Sequence, residues 1–352
     1  MTEMQKPATA QATSSQQKIP VTSKNKYNTT NAIPSWADMD NILGPIEWAW
    51  EGWLPKGMLT ILASESGIGK SALALHICLA FLNGVKWPDG TPYMGDTGMV
   101  LWCEAEAAQA INLERAKDWG LPIENIFAPL GYPLDDVRLD DPKHKEAVKA
   151  AVLRDDVLFV VVDSLRSATG GDENSSEFIK VVKWLSELAR DSGKPILLIH
   201  HLRKPNFMDN GNGPNLSMLR GSSAIVQPAR VVWALDSPDP NNKDAKRLQV
   251  IKSNLARFPE PIGMSVNGQG VMFSTSPNTP KKRTVVDDAC DLLTSLLSNG
   301  REWAQMIESE FDSAGLSWDS AKRAKKGLGI LSKKDGDRWY WYFPAKEPNE
   351  QF

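Results

Sequence analysis

The sequence predicts an α/β fold built on a mostly parallel sheet, with antiparallel strands at one edge and a small helical domain at the C-terminus. Continuous apolar strands alternate with helical patterns from Met58 to His201, an order typical of a parallel sheet with helices on both faces. After Arg230 the pattern changes to consecutive short strands, which indicates antiparallel additions to one edge. A Pro- and Lys-containing stretch, TSPNTPKKR, then precedes the C-terminal domain.

The elements of the larger domain follow from their apolar spacing. Gly120 and Pro122 end the second helix, since neither residue continues a helix well. The predicted elements, in order, are strand Met58–Ala63, helix Lys70–Asn83, strand GMVLWCEAE, helix Ala107–Trp119, strand DVLFVVVDS, helix Ser175–Asp191, strand PILLIHH, and the short strands RVVWALD, RLQVIKSN, PIGMSVN and GVMFST.

Composition bounds the class of protein. The chain has 352 residues, of which 41% are hydrophobic and 24% charged, as in ordinary soluble globular proteins. A net charge of −3 gives no overall attraction to nucleic acid, so any such surface must be local. The three cysteines are scattered, which favours reduced thiols, and no apolar run reaches membrane-spanning length. We therefore expect a cytoplasmic protein with no membrane partner.

Four segments divide the chain. Residues 1–32 form a polar tail with too few apolar residues to order itself. Residues 33–276 form the α/β core, residues 277–283 a linker, and residues 284–345 a second domain.

The second domain has the element order of a winged helix. Helical patterns cover Val285–Ser298 and Ala304–Ala314, a basic third helix follows in SWDSAKRAKKGLGI, and DRWYWYFP closes the domain as a strand. Trp339 and Trp341 alternate with Tyr340 and Tyr342, so one pair should pack on the helices and the other should face solvent or DNA.

A phosphate-binding loop with one departure occupies SESGIGKS, residues 64–71. The pattern G-x-x-x-x-G-K-[ST] is met except that Ser64 replaces the first glycine. A buried strand precedes the loop and a helix follows it, the context in which backbone N–H groups and the helix dipole hold phosphate. This context outweighs a chance Gly-Lys-Ser turn and predicts ATP and Mg²⁺ as cofactors. The predicted nucleotide-binding residues are Ser66, Gly67, Ile68, Gly69, Lys70, Ser71 and Ala72.

Carboxylates at strand ends complete the predicted chemistry. Asp163 ends an apolar strand and is expected to hold Mg²⁺ opposite Ser71, while Lys70 reaches the β- and γ-phosphates. Glu106 lies at a strand-to-helix junction, where a carboxylate can orient or deprotonate the attacking water. Glu104, two residues earlier, is expected to be a surface or capping residue.

Two histidines end the strand in ILLIHHLRK. A polar residue at such a strand tip can sense the γ-phosphate. Because side chains alternate along a strand, one of His200 and His201 should point into the site and the other away from it. A metal site is disfavoured, since no carboxylate or cysteine lies at ligand spacing.

The motifs ASESGIGKSALAL, VLWCEAEA, VVVDSL, LLIHHLRK and LRGSSAIVQPARVVWAL occur here in the order found in one family. Over about residues 36–275 the chain resembles RecA-type ATPases of the RepA-like, hexameric replicative helicase group, plasmid and phage proteins with AAA-labelled relatives. The resemblance implies a RecA-like P-loop core, a catalytic glutamate, a histidine sensor, and cations that act on a neighbouring subunit's nucleotide. The residues it implies are Glu106 as base, His200 or His201 as sensor, with His200 taken first, and Arg220 or Arg230 together with Lys252 as the cations.

The same resemblance implies a homo-oligomer, most simply a hexameric ring, with single-stranded DNA in its channel. The loop after the sensor strand would line that channel, and Arg203 and Lys204 would contact phosphates. In the C-terminal domain, Lys322, Arg323 and Lys326 are placed to contact duplex DNA. A winged helix that binds a replication protein instead remains the alternative.

The predicted function is an ATP-driven DNA helicase acting in replication of a plasmid, phage or mobile element. An ATP-switched replication initiator or regulator that does not unwind DNA remains the alternative. A small-molecule kinase is disfavoured, because it would not explain the loop after the histidines or the C-terminal domain.

Overall fold

The computed structural model describes residues 33–132, 134–170, 175–203, 213–219, 223–239, 242–279 and 284–344. The predicted tail therefore lies outside the described residues. In the part of the chain described, no helix is both long enough and apolar enough to cross a membrane.

Helix α1 (Trp36–Leu43) belongs to a separate unit that ends at Pro45. It begins at a capping box, in which the Ser35 hydroxyl accepts from the Asp38 N–H and the Asp38 carboxylate accepts from the Ser35 N–H.

All remaining elements belong to the unit that begins at Ile46. The elements of its α/β part are β1 (Trp48–Trp50), β2 (Leu54–Pro55), β3 (Leu59–Ser64), α2 (Lys70–Asn83), β4 (Met99–Glu104), α3 (Gln109–Asp118), β5 (Ile126–Phe127), α4 (Pro142–Val152), β6 (Val157–Asp163), α5 (Ser176–Ser192), β7 (Ile196–His201), α6 (Ser223–Val226), β8 (Val231–Asp236), β9 (Lys246–Ser253), β10 (Ile262–Asn267) and β11 (Gly270–Thr275).

The central sheet has nine strands in the order β11-β10-β9-β8-β3-β7-β6-β4-β5. Strands β8, β3, β7, β6, β4 and β5 are parallel, and β9, β10 and β11 add to the β8 edge in antiparallel fashion. The predicted α/β class and mostly parallel sheet are confirmed. One detail was wrong: RVVWALD, which forms β8, is parallel to β3 and is not part of the antiparallel addition.

Apolar layers cover both faces of this sheet, as the unbroken apolar strands required. On one face Trp50 stacks on Trp53 and Trp87, with ring centroids 4.6 and 5.3 Å apart, and meets the edge of Trp233. The buried indole N–H of Trp233 donates to the Trp53 carbonyl at 3.0 Å, so its one polar atom is satisfied. These packed layers hold the strand ends that carry the site.

The C-terminal part of the chain forms six elements around a core of its own. They are α7 (Val285–Leu296), β12 (Glu302–Trp303), α8 (Ala304–Ser313), α9 (Trp318–Gly327), β13 (Leu331–Asp335) and β14 (Arg338–Tyr342). The strands form an antiparallel sheet in the order β12-β14-β13. The three predicted helices and the final strand are present, and β12 and β13 add the two further strands.

Candidate nucleotide-binding site

The phosphate loop connects β3 to α2 in a conformation that depends on two glycines. Gly67 and Gly69 have φ angles of 78° and 113°, values that side chains with a Cβ rarely adopt. Gly69 is also the N-cap of α2, and a Cβ there would lie 3.4 Å from Cε of Met264. The loop therefore presents backbone N–H groups at the positive end of a helix dipole, a geometry suited to phosphate.

Lys70 lies in a network of oxygen and nitrogen acceptors although it is only 6% exposed. Its Nζ donates to the Glu65 carbonyl at 3.0 Å and to Ser64 Oγ at 3.2 Å. Burial lowers the pKa of Lys70 to about 8, and the opposing charges of Asp163 and Glu106 limit that fall. An ammonium poised in this way gains a strong partner when phosphate arrives.

The surroundings of Ser64 explain why the loop tolerates serine in place of the first glycine of the pattern. It is the last residue of β3, fully buried and paired in register with His201 of β7. Its hydroxyl donates to the Glu65 carbonyl at 2.7 Å and accepts from Lys70. A serine fits at this strand end because its hydroxyl is fully hydrogen-bonded.

Asp163 ends β6 beside the loop and is 3% exposed. The hydroxyl of Ser71 hydrogen-bonds to its carboxyl group. The pKa of Asp163 is raised to about 6, chiefly by burial and in smaller part by the nearby carboxylates Glu104 and Glu106, while the Ser71 hydrogen bond and Lys70 limit the rise. A carboxylate and a hydroxyl side by side are the oxygen donors that Mg²⁺ prefers, so this pair fits the predicted metal.

Glu106 lies just after β4, and its side chain faces the same site as Lys70 and Asp163. Its Oε1 lies 3.2 Å from Nε2 of His201 and accepts a hydrogen bond from the Ser164 hydroxyl. The hydrogen bond to His201 is the largest cause that lowers the pKa of Glu106, to about 2, with Ser164 and Lys70 contributing. The side chain remains 37% exposed, so a water molecule can reach it.

Glu104 was expected to be a surface or capping residue, and the surface alternative was wrong because its side chain is buried. It is 5% exposed, and its carboxylate accepts from the Trp102 indole, the Asn112 amide and the N–H of Glu106 at 3.0–3.2 Å. These bonds tie the end of β4 to α3 and position the turn that carries Glu106.

Of the two histidines, His201 faces the site and His200 does not. The Nδ1 of His201 lies 3.4 Å from Nζ of Lys70. Because an ammonium group is only a donor, this Nδ1 accepts, and Nε2 carries the proton that is donated to Glu106. His200 is fully buried on the other side of β7 against Phe178. The choice of His200 as sensor was therefore wrong, and alternation along the strand is the reason.

A cavity of about 270 Å³ brings these groups together. All seven residues predicted to hold nucleotide line it, as do Glu106, Asp163 and His201. Arg115 of α3, Lys246 of β9 and Val266 of β10 also line it, and the sequence analysis missed all three. No local motif marks them, since they come from an amphipathic helix and from edge strands that only the fold brings to the loop.

The remaining predicted residues lie elsewhere. The Nζ of Lys252 donates to the carbonyls of Val226 and Ala229, each at 2.6 Å. Lys252 pairs with Val232 near the start of β8, at the opposite end of the sheet from the phosphate loop, so it does not reach its own chain's cavity. Arg230 lies at that same end.

Among the predicted DNA contacts, Arg203 is described only at the edge of its loop, where its N–H donates to the Met218 carbonyl at 2.8 Å. Lys204 and Arg220 lie outside the described residues. Lys322, Arg323 and Lys326 are exposed on α9.

A mostly parallel sheet with a phosphate loop after one strand and an aspartate at the end of another fits the core of a RecA-like P-loop ATPase. The chain belongs to the AAA domain family AAA_25, which it matches over residues 28–206, about half its length. It is also 28% identical over 186 residues to the DNA repair protein RadA of Aquifex aeolicus (strain VF5). That match covers 53% of this chain and 36% of the relative, so the chain corresponds to about a third of the relative's length.

Proposed function

We propose that this protein is an ATP-hydrolysing motor on DNA, a RepA-like ring helicase that acts on single-stranded DNA in replication of a plasmid, phage or mobile element. The observation that carries the proposal is the chain of contacts Lys70–His201–Glu106. It connects the residue that binds phosphate to the carboxylate that faces water, as a motor that couples nucleotide state to movement requires.

In the proposed mechanism the loop N–H groups and Lys70 hold the triphosphate. Mg²⁺, when bound near Ser71 and Asp163, supplies neutralisation of phosphate charge. Glu106 accepts a hydrogen bond from the attacking water and orients it. Because its pKa is about 2, the carboxylate is a weak base in this arrangement, and orientation contributes more than full proton removal.

His201 acts as the sensor in this proposal. When Lys70 turns toward phosphate, the Nδ1 of His201 loses its contact with the ammonium and can take another donor. A change at His201 passes directly to the loop that follows β7, since Leu202 and Leu219 pair at the base of that loop. Arg203, Lys204 and the residues between them and Arg220 would then grip or release single-stranded DNA.

Assembly is the second part of the proposal. We propose a homo-oligomer, most simply a hexamer, in which Lys252 and either Arg220 or Arg230 act on the nucleotide of the next subunit. Lys252 and Arg230 lie at the end of the sheet away from their own cavity, which supports a role for them across an interface. Within the chain Lys252 is bound to two carbonyls, so this role requires its ammonium to leave them.

The C-terminal part is proposed to be a winged helix that contacts duplex DNA through Lys322, Arg323 and Lys326. Helix, short strand, two helices and a hairpin is the order of that fold, and α9 would be its recognition helix. Contact with a replication protein is the alternative. Removal of residues 281–352 tests this: weaker binding of duplex DNA at low salt supports the DNA role, and unchanged affinity refutes it.

Strand displacement on forked DNA is the decisive test of the motor. The helicase proposal expects displacement that requires ATP and Mg²⁺ and is lost in Glu106→Gln. The likeness to RadA, named as a DNA repair protein, supports a DNA substrate. ATP hydrolysis stimulated by single-stranded DNA without any displacement would instead favour an ATP-switched initiator or regulator.

A further inference from the structure

The small C-terminal sheet has a face that the proposed function does not use. Trp341 of β14 is 5% exposed and stacks on Trp318 of α9 at 5.0 Å, so its side of the sheet packs on the helices. Tyr340 and Tyr342 alternate with Trp341 and therefore lie on the other side. Register places their cross-strand partners with them. We call this the outer face; its residues are Trp303, Leu331, Lys333, Asp335, Arg338, Tyr340 and Tyr342.

Aromatic rings and cations alternate across the outer face. The Trp303 and Tyr340 rings meet edge to face at 5.9 Å, and Tyr342 lies 5.7 Å from Tyr340. The Arg301 guanidinium, which precedes β12, lies 4.6 Å from the centroid of the Tyr340 ring and 5.8 Å from that of Trp303. Arg338 lies 6.0 Å from the Trp303 centroid on the same face.

The charge of the face is positive although the chain carries a net charge of −3. Arg301, Lys333 and Arg338 are exposed there, and Asp335 is the acidic residue that register places beside Arg338. Asp335 and Arg301 form an ion pair at 3.4 Å with both side chains more than half exposed, a contact that contributes little. Glu302 pairs with Trp341 and so lies on the opposite side.

We infer that the outer face binds unpaired bases of a single-stranded nucleic acid. Tyrosine and tryptophan rings and guanidinium planes are the groups on which exposed bases stack, and interleaved cations hold the phosphates between them. Paired bases in a duplex do not expose their faces, so a stacking surface selects single strands. The site is separate from α9, which is proposed to contact duplex DNA, and together they would fit a junction between duplex and single strand.

This inference extends the proposed function and rests on it for the DNA context, but its test does not depend on ATP. The full-length chain is titrated, without nucleotide, into a fluorescently labelled oligothymidine of about 20 nucleotides, and anisotropy gives the affinity. A second probe of equal length carries abasic sites in place of the bases. A matching oligouridine distinguishes DNA from RNA as the source of the single strand.

The hairpin offers matched variants on its two faces. Tyr340→Ser and Lys333→Glu alter the outer face, whereas Trp339→Ser and Lys334→Glu alter the neighbouring residues that point to the other side. We expect Tyr340→Ser to weaken binding of oligothymidine about fivefold or more and binding of the abasic probe little. Lys333→Glu should weaken both probes, Tyr340→Phe should bind like the wild type, and both control variants should stay within about twofold.

If Lys333→Glu and Lys334→Glu lose the same amount of affinity, only the overall charge of the hairpin matters. That result would overturn the inference. Wild-type affinity in both outer-face variants would also overturn it. Lys333 is exposed on its strand, so its variant tests the location of the site even if Tyr340→Ser does not fold, and the wild type's preference for oligothymidine over the abasic probe tests the stacking of bases. A failure here with normal ATP-dependent strand displacement leaves the motor proposal standing. If the variants change single-strand binding as expected but the wild type does not displace strands, the motor proposal fails and the present inference stands.

Discussion

Replacing Asp163 by asparagine is expected to stabilise the nucleotide-free protein while abolishing its activity. The carboxyl is 3% exposed and its pKa is raised from 3.8 to about 6, first by burial and then by Glu104 and Glu106. The folded state therefore binds more protons than the unfolded state between these two values. Stability falls as pH rises through this window, and the loss persists at higher pH.

The size of the effect follows from the shift. About two pKa units at about 1.36 kcal/mol each give a cost of about 3 kcal/mol at pH 7.5, and the same linkage gives roughly half of that at pH 5. Asparagine has nearly the same shape, keeps an acceptor for the Ser71 hydroxyl, and carries no charge. We therefore expect Asp163→Asn to be more stable by up to about 3 kcal/mol at pH 7.5, with a smaller advantage at pH 5.

Urea unfolding of both proteins at pH 5, 6 and 7.5 measures this difference. Asp118→Asn, which removes an exposed carboxylate at the end of α3, serves as control and should change the free energy of unfolding by less than about 0.5 kcal/mol. In the presence of ATP and Mg²⁺ the order should reverse, because the wild type alone gains binding energy through this carboxylate. A variant less stable than wild type at pH 7.5, or an advantage independent of pH, would refute the reasoning.

Three further predictions test the site and its assembly. Lys70→Ala should lose ATP hydrolysis and remain folded, and normal turnover in a steady-state assay would remove the phosphate-loop assignment. Glu106→Gln should bind ATP without hydrolysing it. Glu104→Gln should mainly lower the melting temperature, because its amide N–H₂ would face either the Glu106 N–H or the two donors Trp102 and Asn112. The opposite pattern would mean that the wrong carboxylate was chosen. Mixing Lys252→Ala with Lys70→Ala subunits should restore part of the hydrolysis if sites are shared, and sedimentation of a fully active monomer would exclude sharing.

Much of the fold and the phosphate loop could be predicted because their signals are local. The run MLTILA reads as a buried strand, GIGKS needs two glycines at left-handed φ, and the helix that follows begins at Lys70 and ends at Asn83 as predicted. Asp163 also had a local signal, because it ends an apolar strand, β6. Parallel strands bring their carboxyl ends to one edge of the sheet, which places this strand end near the phosphate loop.

The tertiary structure decided what local patterns leave open. Because side chains alternate along a strand, the sequence predicted that only one of His200 and His201 could face the site. The packing of His200 against Phe178 decided that it is His201. The burial of Glu104 and the entry of Arg115 and Lys246 into the cavity depend on contacts between elements far apart in sequence. Side-chain direction on a strand depends on which face each neighbour covers, and neighbours in a sheet are chosen by the whole chain. The sequence therefore determined the chemistry available to the site, and the packing of distant elements selected the residues that meet there.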